Sequence, residues 1–309
     1  MDQRRLRLGL VGIGKIVRDQ HLAAIAQSGQ FDLVATAAPE GHVEGAAAYS
    51  SIEAMLAHET LDAVSICTPP GVRAPIAIVA LRAGLAVMVE KPPTATLSQA
   101  EHLARLAASG GQTLFSAWHS RETAPVDAVR AMLTDRRIEA IEVIWHEDVR
   151  EWHPGQDWLL AAGGFGVFDP AINALSILTK VLPGHLAVQS AALGVPENRG
   201  APIRADVMMH FDGSVPVRLD LNMRHAGTAR WDIIIATDRG TIELGRGGHR
   251  WSVDGEVMPV EQGQEYPRLY RRFAELVDTG RSDFDIGPLM LVADAMMVGH
   301  TTREAAFHF

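Results

Sequence analysis

The sequence predicts a two-domain protein in which a doubly wound parallel α/β sheet is followed by an open, mostly antiparallel α+β sheet. Over roughly the first 120 residues, short apolar segments alternate with helical ones, which is the pattern of βαβ units. A glycine-rich turn follows the first apolar segment, as in dinucleotide-binding domains. In the second half the apolar residues recur with period two, and Asp212-Gly213 and Asp254-Gly255 indicate hairpins.

The first domain, residues 1–120, is predicted to bind a dinucleotide. Its strands are short, apolar and partly β-branched, which is typical of buried parallel strands. The predicted strands are 6–11, 31–36, 63–67, 86–89 and 113–118, and the predicted helices are 16–28, 72–83 and 97–109.

The second domain, residues 121–309, is predicted to bind substrate and to form oligomer contacts. An open antiparallel sheet leaves an apolar face that another subunit could cover, so we expect a homo-oligomer, most simply a dimer. The predicted helices are 124–135, 168–181, 267–279 and 288–303, and the predicted strands are 139–149, 188–193, 204–211, 216–223, 230–236, 240–244 and 249–253.

The composition excludes several classes of protein. The chain has 28 basic and 37 acidic residues and a net charge of −9, so it offers no basic surface for nucleic acid. The single cysteine, Cys67, excludes an internal disulfide. The apolar run near the amino terminus is too short for a signal peptide or a membrane span. We therefore expect a cytoplasmic protein without nucleic acid or membrane partners.

The turn Gly12-Ile13-Gly14-Lys15-Ile16 carries the dinucleotide signature. Its first glycine permits a tight turn, and its second lets the backbone approach a pyrophosphate at the start of the next helix. Val17 stands where the usual pattern has a third glycine. A plain glycine-rich βα turn is therefore the alternative.

The end of the second strand bears on the choice between NAD and NADP. An acidic residue there suits the ribose 2′-hydroxyl of NAD, whereas an arginine suits the 2′-phosphate of NADP. The chain has Ala38-Pro39-Glu40 here, and the next arginine is Arg73. Glu40 is the nearby candidate, with a solvated turn carboxylate as the alternative. We expect NAD to be used at least as well as NADP.

The run Glu90-Lys91-Pro92 closes a buried strand of the first domain. Ligands of open α/β sheets bind at the carboxyl ends of the strands, so Lys91 is predicted to lie where a cofactor binds. An ammonium group there can stabilise an alkoxide or donate to a carbonyl oxygen during hydride transfer. The alternative is a surface lysine paired with Glu90.

In the second domain, Asp169 and Asn173 are four residues apart on a predicted helix and share one face. A carboxylate and an amide in this arrangement could bind one hydroxyl and take its proton. The alternative is structural, because Asp169 followed by Pro170 is a good pair for the start of a helix.

Glu147 is predicted to point inward, because it shares a strand face with Trp145 and Val149. A buried carboxylate is costly unless it binds something. A metal site built from His146, Asp148 and His153 is a weaker alternative, since no metal-binding spacing supports it. We expect no metal ion.

The glycine turn 12–16, the run Glu90-Lys91-Pro92 and the pattern Gly-Gly-x-x-x-x-Asp-x-x-x-Asn ending at Asn173 resemble the glucose–fructose oxidoreductase and inositol dehydrogenase (Gfo/Idh/MocA) family. Five longer segments resemble, within that family, the enzymes that oxidise L-arabinose or D-galactose at C1. They are VGIGKI (11–16), DQHL (19–22), WHSR (118–121), WHPGQ (152–156) and VFDP (167–170). The resemblance implies oxidation of the ring C1 hydroxyl of an aldose to a lactone, with hydride transfer to NAD or NADP.

The resemblance also implies roles for individual residues. Catalysis would depend on Lys91 and Asp169. The sugar would be bound by His119, Glu147, Trp152, His153 and Asn173. The cofactor would be bound by Gly12, Gly14, Lys15, Ile16, Ala38, Glu40, Thr68, Pro69, Glu90 and Lys91.

One departure from the family pattern affects the mechanism. The wider family usually has a histidine, often taken as the base, where this chain has Asn173. An amide cannot accept the proton, so the role passes to Asp169 or Lys91. A second hypothesis is a non-catalytic regulator of the same fold that senses a sugar and a dinucleotide, and a third is an oxidoreductase for a different sugar or carbonyl.

Overall fold

A computed structural model describes residues 4–309, and the chain divides into two compact units. The first unit comprises the described residues up to Glu122 together with Gln264–Ile286. The second comprises Thr123–Gly263 and Gly287–Phe309. The segment 264–286, which the sequence pattern assigned to the second domain, therefore belongs to the first unit.

The first unit is built on a six-stranded, all-parallel sheet with the strand order β3-β2-β1-β4-β5-β6. This confirms the predicted doubly wound sheet and adds the short strand β3. The strands are β1 (Leu6–Val11), β2 (Phe31–Ala37), β3 (Ala47–Tyr49), β4 (Ala63–Ile66), β5 (Ala86–Glu90) and β6 (Leu114–Ala117).

Helices cover both faces of this sheet. A π-helical turn, Val17–His21, leads into the first regular helix. The helices of the first unit are α1 (Leu22–Ser28), α2 (Ile52–His58), α3 (Pro70–Arg82), α4 (Leu97–Gly110) and α8 (Glu265–Thr279), of which α2 was not predicted.

Two apolar cores explain why α8 belongs here. On one side of the sheet, Phe31 and Phe115 pack with Phe273 of α8. On the other side, α3 and α4 pack their alanine and leucine side chains against β4 and β5. An amphipathic helix does not specify which apolar surface it will cover, so the sequence alone could not assign α8 to this sheet.

The second unit contains a nine-stranded mixed sheet with the order β14-β13-β12-β11-β7-β10-β9-β8-β15. Most neighbours are antiparallel, as predicted, but β7 pairs with β10 and β8 with β15 in parallel. The strands are β7 (Ile138–His146), β8 (Leu186–Pro196), β9 (Arg204–Phe211), β10 (Val215–Asn222), β11 (Arg230–Thr237), β12 (Gly240–Gly245), β13 (Arg250–Val253), β14 (Glu256–Met258) and β15 (His300–Glu304).

The hairpin signals Asp212-Gly213 and Asp254-Gly255 are both confirmed. They join β9 to β10 and β13 to β14. Asp212 has φ +45° and Asp254 has φ +51°, and each following glycine also has positive φ. Two successive residues with positive φ form the turn that matches the twist of a two-stranded ribbon.

Helices pack on one face of this sheet, and along β9 buried and exposed residues alternate. The helices of the second unit are α5 (Pro125–Leu133), α6 (Val149–Trp152), α7 (Phe168–Val181) and α9 (Gly287–Val298). The predicted helix 288–303 is too long: α9 ends at Val298, and β15 follows at His300. Gly299 favours the helix end, and Thr301 and Thr302 favour the strand.

Candidate active site

The glycine-rich turn of the first unit has the geometry that a pyrophosphate needs. Gly12 has φ +88°, and a Cβ there would lie 2.9 Å from the side chain of Thr68. A Cβ on Gly14 would meet no atom within 4 Å, so the backbone is open to a ligand. The helical backbone begins at Lys15, and Ile16 is partly exposed beside it. Backbone amides at such a helix start suit an anion.

The end of β4 faces the same turn and carries an unsatisfied hydroxyl. The Oγ1 atom of Thr68 is buried and has no hydrogen-bond partner within residues 4–309. Pro69 is the residue that precedes α3. An orphaned donor beside the open backbone of Gly14 fits a phosphate or ribose oxygen. The residues present therefore fit a dinucleotide.

A carboxylate belongs to the loop after β2, and a guanidinium from another element approaches the same loop. Ala38 donates its amide to the carbonyl of Tyr49 at 3.0 Å, and Glu40 is exposed. A Cβ on Gly41 would lie 3.4 Å from the guanidinium of Arg18. Arg18 comes from the π-helical turn, so a cation reaches this loop although none occurs in its sequence.

At the end of β5, Glu90 is buried and both of its carboxylate oxygens are engaged. Oε1 accepts a hydrogen bond from the hydroxyl of Tyr266 at 2.9 Å and lies 3.1 Å from Nε2 of His21. Oε2 accepts the backbone N–H of Lys91 at 2.8 Å. Glu90 therefore holds the turn that presents Lys91, and its side chain points into the protein.

The environment of Glu90 favours an ion pair with His21. Burial acts to raise the pKa of Glu90, but the hydrogen bond and charge of His21, with His119 and Arg73, lower it to about 2. Burial acts to lower the pKa of His21, but Cys67, Tyr270 and Glu90 raise it well above its usual value. At neutral pH we therefore assign a negative charge to Glu90 and a positive charge to His21.

Arg73 holds the same turn through backbone carbonyls. Its guanidinium donates to the carbonyl oxygens of Glu90, Pro92 and Thr68. Arg73 is itself buried, with 3% of its surface exposed. The ends of β4 and β5 are thus joined by one cation. The peptide bond between Lys91 and Pro92 is cis.

His119 belongs to the first unit, in a short 3₁₀ turn after β6. Its ring stacks on that of Tyr266, with centroids 5.5 Å apart and planes 17° apart. Tyr266 in turn binds Glu90. His119 is therefore connected to the Glu90 cluster, a relationship that its place in the sequence did not reveal.

In the second unit, Glu147 is buried on the predicted side of the chain and has two protein partners. Oε1 lies 3.0 Å from Nε2 of His153, and Oε2 accepts the indole N–H of Trp231 at 2.8 Å. With only 3% of its surface exposed, Glu147 fixes the orientation of His153 and Trp231. The inward direction of Glu147 agrees with the strand-face prediction.

An aromatic surface adjoins this carboxylate. Trp152 and Trp231 meet edge to face with their ring centroids 4.6 Å apart, and Trp145 lies behind Trp231 at 6.3 Å. Trp152 is 43% exposed. Exposed indole faces beside hydrogen-bonding groups suit a ligand with both apolar and polar sides, such as a pyranose.

On α7, Asp169 and Asn173 lie one turn apart, as predicted. Asp169 is buried, and Oδ1 of Asn173 is buried without a hydrogen-bond partner in the described chain. The helix begins at Phe168 after Val167, and no side chain caps it. The capping explanation of Asp169 is therefore wrong, because Asp169 lies inside the first turn.

The histidines proposed as alternative metal ligands have separate partners. His146 pairs with Asp220 at 3.0 Å, whereas His153 pairs with Glu147. Asp148 caps α6 and binds Arg150. Within residues 4–309, no three potential ligands are grouped around one point.

Five residues that the structure places in these clusters were missed as site residues: His21, Arg73, Tyr266, Tyr270 and Trp231. For His21 the sequence offers one signal, its place in the segment 19–22 that resembles the family. An arginine among the apolar residues of a predicted helix was the available signal for Arg73, and a run of Tyr and Phe at helical spacing was the signal for Tyr266 and Tyr270.

Comparison with known proteins identifies the family. Residues 6–118 match the profile of an oxidoreductase family with an NAD-binding Rossmann fold. The chain is 40% identical to galactose 1-dehydrogenase from Pseudomonas fluorescens, over 98% of this chain and 99% of that one. The chain belongs to the Gfo/Idh/MocA family. Its first unit is the family's NAD(P)-binding Rossmann domain.

Solved structures agree with this assignment. The D-galactose 1-dehydrogenase of Rhizobium etli matches with a TM-score of 0.95 and 48% identity, over 100% of this chain and 99% of that one. A 3-ketoreductase from Actinomadura kijaniata, solved with NADP, matches with a TM-score of 0.83 over 97% of this chain and 100% of that one. At 19% identity, the second match shows a common fold only.

None of the helices within residues 4–309 combines the length and apolar character needed to cross a bilayer.

Proposed function

We propose that this protein is an aldose 1-dehydrogenase that oxidises the C1 hydroxyl of D-galactose and L-arabinose to the lactone. The observation that carries the proposal is the near full-length similarity to galactose 1-dehydrogenases, at 40% and 48% identity. The chain also has the chemical groups that such a reaction needs: a lysine at a strand end, a buried helical carboxylate, and a carboxylate–histidine pair beside exposed indoles.

The proposed reaction removes a hydride from C1 and a proton from its hydroxyl. NAD or NADP, when bound, accepts the hydride. Asp169 accepts the proton, and Lys91 stabilises the developing charge on the oxygen. Asn173 does not act as the base, because an amide does not take up a proton at neutral pH. The products are the lactone, the reduced cofactor and a proton.

Sugar binding is assigned to the second unit's polar groups. The unpaired Oδ1 of Asn173 would accept a hydrogen bond from a ring hydroxyl. His153, oriented by Glu147, and the exposed face of Trp152 would contact the ring. Because both oxygens of Glu147 already bind protein groups, we assign Glu147 to the orientation of His153 and Trp231. We also assign His119 to sugar binding; its ring stacks on that of Tyr266.

We propose that NAD serves at least as well as NADP. The loop after β2 has Ala38 and Pro39 in place of a residue that would bind a 2′-phosphate, and Glu40 would repel one. Arg18 is the cation that approaches this loop, at Gly41. It is the group through which NADP would bind if it were preferred.

We further propose a homodimer in the cytoplasm. The face of the second unit's sheet that carries no helix exposes apolar side chains among polar ones, including Met208, Ile144 and Ile234. Such a face is suited to pairing with the same face of another copy. Light scattering at micromolar concentration should give twice the chain mass, and a monomer would contradict this part of the proposal.

The function is tested by incubating the purified protein with a panel of aldoses and each cofactor in turn. The appearance of reduced nicotinamide is followed by absorbance, and the product is identified as a lactone by mass. Turnover of D-galactose and L-arabinose is expected. Tight binding of a sugar and a dinucleotide without turnover would instead favour a regulator of the same fold.

A further inference from the structure

We propose that the buried residues His21, Glu90 and Arg73 position Lys91, so that they control the rate of the sugar oxidation through Lys91. The inference rests on the proposed function of Lys91. It assigns a role to a cluster that the proposed reaction does not itself use. All of its members lie in the first unit.

The π-helical turn brings His21 into the core. One extra residue in a helical turn rotates the side chains that follow, and such turns are common near functional sites. Here the turn ends at His21, which has no solvent exposure. A histidine buried among apolar residues is costly unless both ring nitrogens are bound.

Both nitrogens of His21 have partners. Nδ1 lies 2.8 Å from the hydroxyl of Tyr270, which donates to Ser65 at 3.3 Å. Nε2 lies 3.1 Å from Glu90. Since Tyr270 gives its proton to Ser65, its oxygen can accept from Nδ1. An imidazolium that donates at both nitrogens is the form that satisfies this arrangement.

Two further groups lie against the His21 ring. The Cys67 sulfur lies 3.6 Å from Nε2, and the ring of Tyr266 meets the imidazole edge to face at 4.8 Å. Tyr266 donates to the same Glu90 oxygen that His21 approaches. Two donors on one oxygen orient the carboxylate, and its other oxygen is directed to the Lys91 amide.

Lys91 is therefore held from two sides. Its own N–H binds Oε2 of Glu90, and the carbonyls of its neighbours Glu90 and Pro92 bind Arg73. The backbone on both sides of Lys91 is fixed by buried charges. Small displacements at a reacting group cost large factors in rate. Loss of His21 should thus move the Lys91 ammonium relative to the atom it stabilises.

The loss of kcat that results from disturbing this cluster has an upper limit. Removing one group that stabilises an oxyanion lowers kcat by about 10²–10³. If His21 acts only through Lys91, His21→Gln cannot lower kcat by more than Lys91→Ala does. A double-mutant cycle separates this from general structural damage, because two residues on one path do not have additive effects.

The experiment measures kcat, the dissociation constant of the cofactor and the melting temperature for His21→Gln, Lys91→Ala and the double variant. His21→Gln should lower kcat at least tenfold in the wild-type background and have no further effect in Lys91→Ala. An equal loss in both backgrounds would overturn the proposal. Tyr49→Phe, which removes a hydrogen bond to Glu59 in the same unit, is the control and should leave kcat unchanged.

A second variant covers the case in which His21→Gln does not fold. Tyr266→Phe removes only one of the two donors on Glu90 Oε1, and it should show the same dependence on Lys91 with a smaller loss of kcat. Wild-type kcat for the Tyr266→Phe variant would contradict the proposal.

Hydrogen exchange of the Lys91 amide gives a readout that does not need turnover. The amide is bonded to Glu90, so it should exchange slowly in the wild type and at least tenfold faster in folded His21→Gln. Unchanged protection would overturn the positioning role. A protein that oxidises no aldose but shows this change in exchange would contradict the proposed function and leave the His21–Glu90–Lys91 linkage intact.

Discussion

Oε2 of Glu147 accepts the indole N–H of Trp231 at 2.8 Å, while the other oxygen of the same carboxylate binds His153. One buried group thus orients an aromatic face and an imidazole together. A carboxylate can accept from both donors, whereas an amide has a single acceptor oxygen.

Glu147→Gln should therefore raise KM for the sugar more than it lowers kcat. Losing one hydrogen bond to a charged group, in a buried place, costs about 1–3 kcal/mol, so the melting temperature should fall as well. Steady-state kinetics with D-galactose and a thermal melt measure both effects. Glu142→Gln, on the same strand but partly exposed, is the matched control. An unchanged KM would show that Trp231 and His153 do not contact the sugar.

Asp169→Asn should lower kcat by about 10²–10⁴, the usual value of positioned proton transfer. Cofactor binding and melting temperature should change little, because Asp169 does not cap its helix. Lys91→Ala should lower kcat by about 10²–10³. A fully active Asp169→Asn variant would transfer the base role to Lys91.

The double variant Asp169→Asn with Lys91→Ala provides an internal check. Both residues are assigned to one hydroxyl in one transition state, so their effects should be less than additive. Strict additivity of the two losses in free energy would indicate that they act in different steps. Single-turnover measurements with saturating cofactor distinguish these outcomes.

The substrate profile should follow stereochemistry. L-Arabinopyranose matches D-galactopyranose at C2, C3 and C4 and lacks only the C6 hydroxymethyl group, so both should be oxidised. D-Glucose, inverted at C4, leaves a buried polar group unpaired and should be rejected more strongly. Comparable kcat/KM values for D-glucose and D-galactose would contradict this description of the sugar site.

The selectivity between NAD and NADP should change when residues of the loop after β2 are replaced. Replacing Ala38 by Ser and Pro39 by Arg should shift selectivity toward NADP, because a guanidinium binds a phosphate strongly. Arg18→Ala should weaken NADP binding and leave NAD binding unchanged. Titration with each nucleotide measures both effects, and Arg5→Ala, at the opposite end of β1 from the glycine turn, serves as the control. A parent protein with a tenfold preference for NADP would contradict our expectation and point to another phosphate anchor, Lys15 or Arg18, of which Arg18→Ala tests the second.

The Glu90–His21 pair should make stability depend on pH in a defined way. The lowered pKa of Glu90 contributes stability above its ordinary value of 4.5, and this is lost as the pH falls toward 2. The raised pKa of His21 contributes stability below 6.5, and this is lost as the pH rises through its value in the folded protein. The difference in unfolding free energy between wild type and Glu90→Gln should therefore be largest between 4.5 and 6.5. A difference that is constant from pH 2 to 8 would contradict it.

Local patterns predicted much of the fold and part of the site. Continuous apolar strands, the Gly12 turn and the Asp-Gly hairpins each have a direct physical cause within a few residues, and the structure contains all of them. The inward direction of Glu147 followed from strand alternation alone. These features depend on backbone geometry and periodicity, which a sequence displays.

Long-range relationships could not be predicted in this way. The π-helical turn that buries His21 has no periodic signature, and Tyr266 lies 176 residues from Glu90 in the chain. Arg73 occurs in a helix whose sequence does not indicate that the residue binds three carbonyls. The predicted helix 288–303 was too long because the polar segment after α9, residues 300–304, forms a strand by pairing with β8, and the sequence does not indicate that partner.

Because residues 264–286 belong to the first unit, a single cut in the sequence cannot separate the two units. A polypeptide ending near residue 120 would keep every strand of the six-stranded sheet, yet Phe31 and Phe115 would lose Phe273 as a neighbour. Glu90 and His21 would lose the tyrosine hydroxyls supplied by α8. The nucleotide unit is therefore not a contiguous module, and exchanging it between relatives by a single crossover would separate the strands from the helix that completes them.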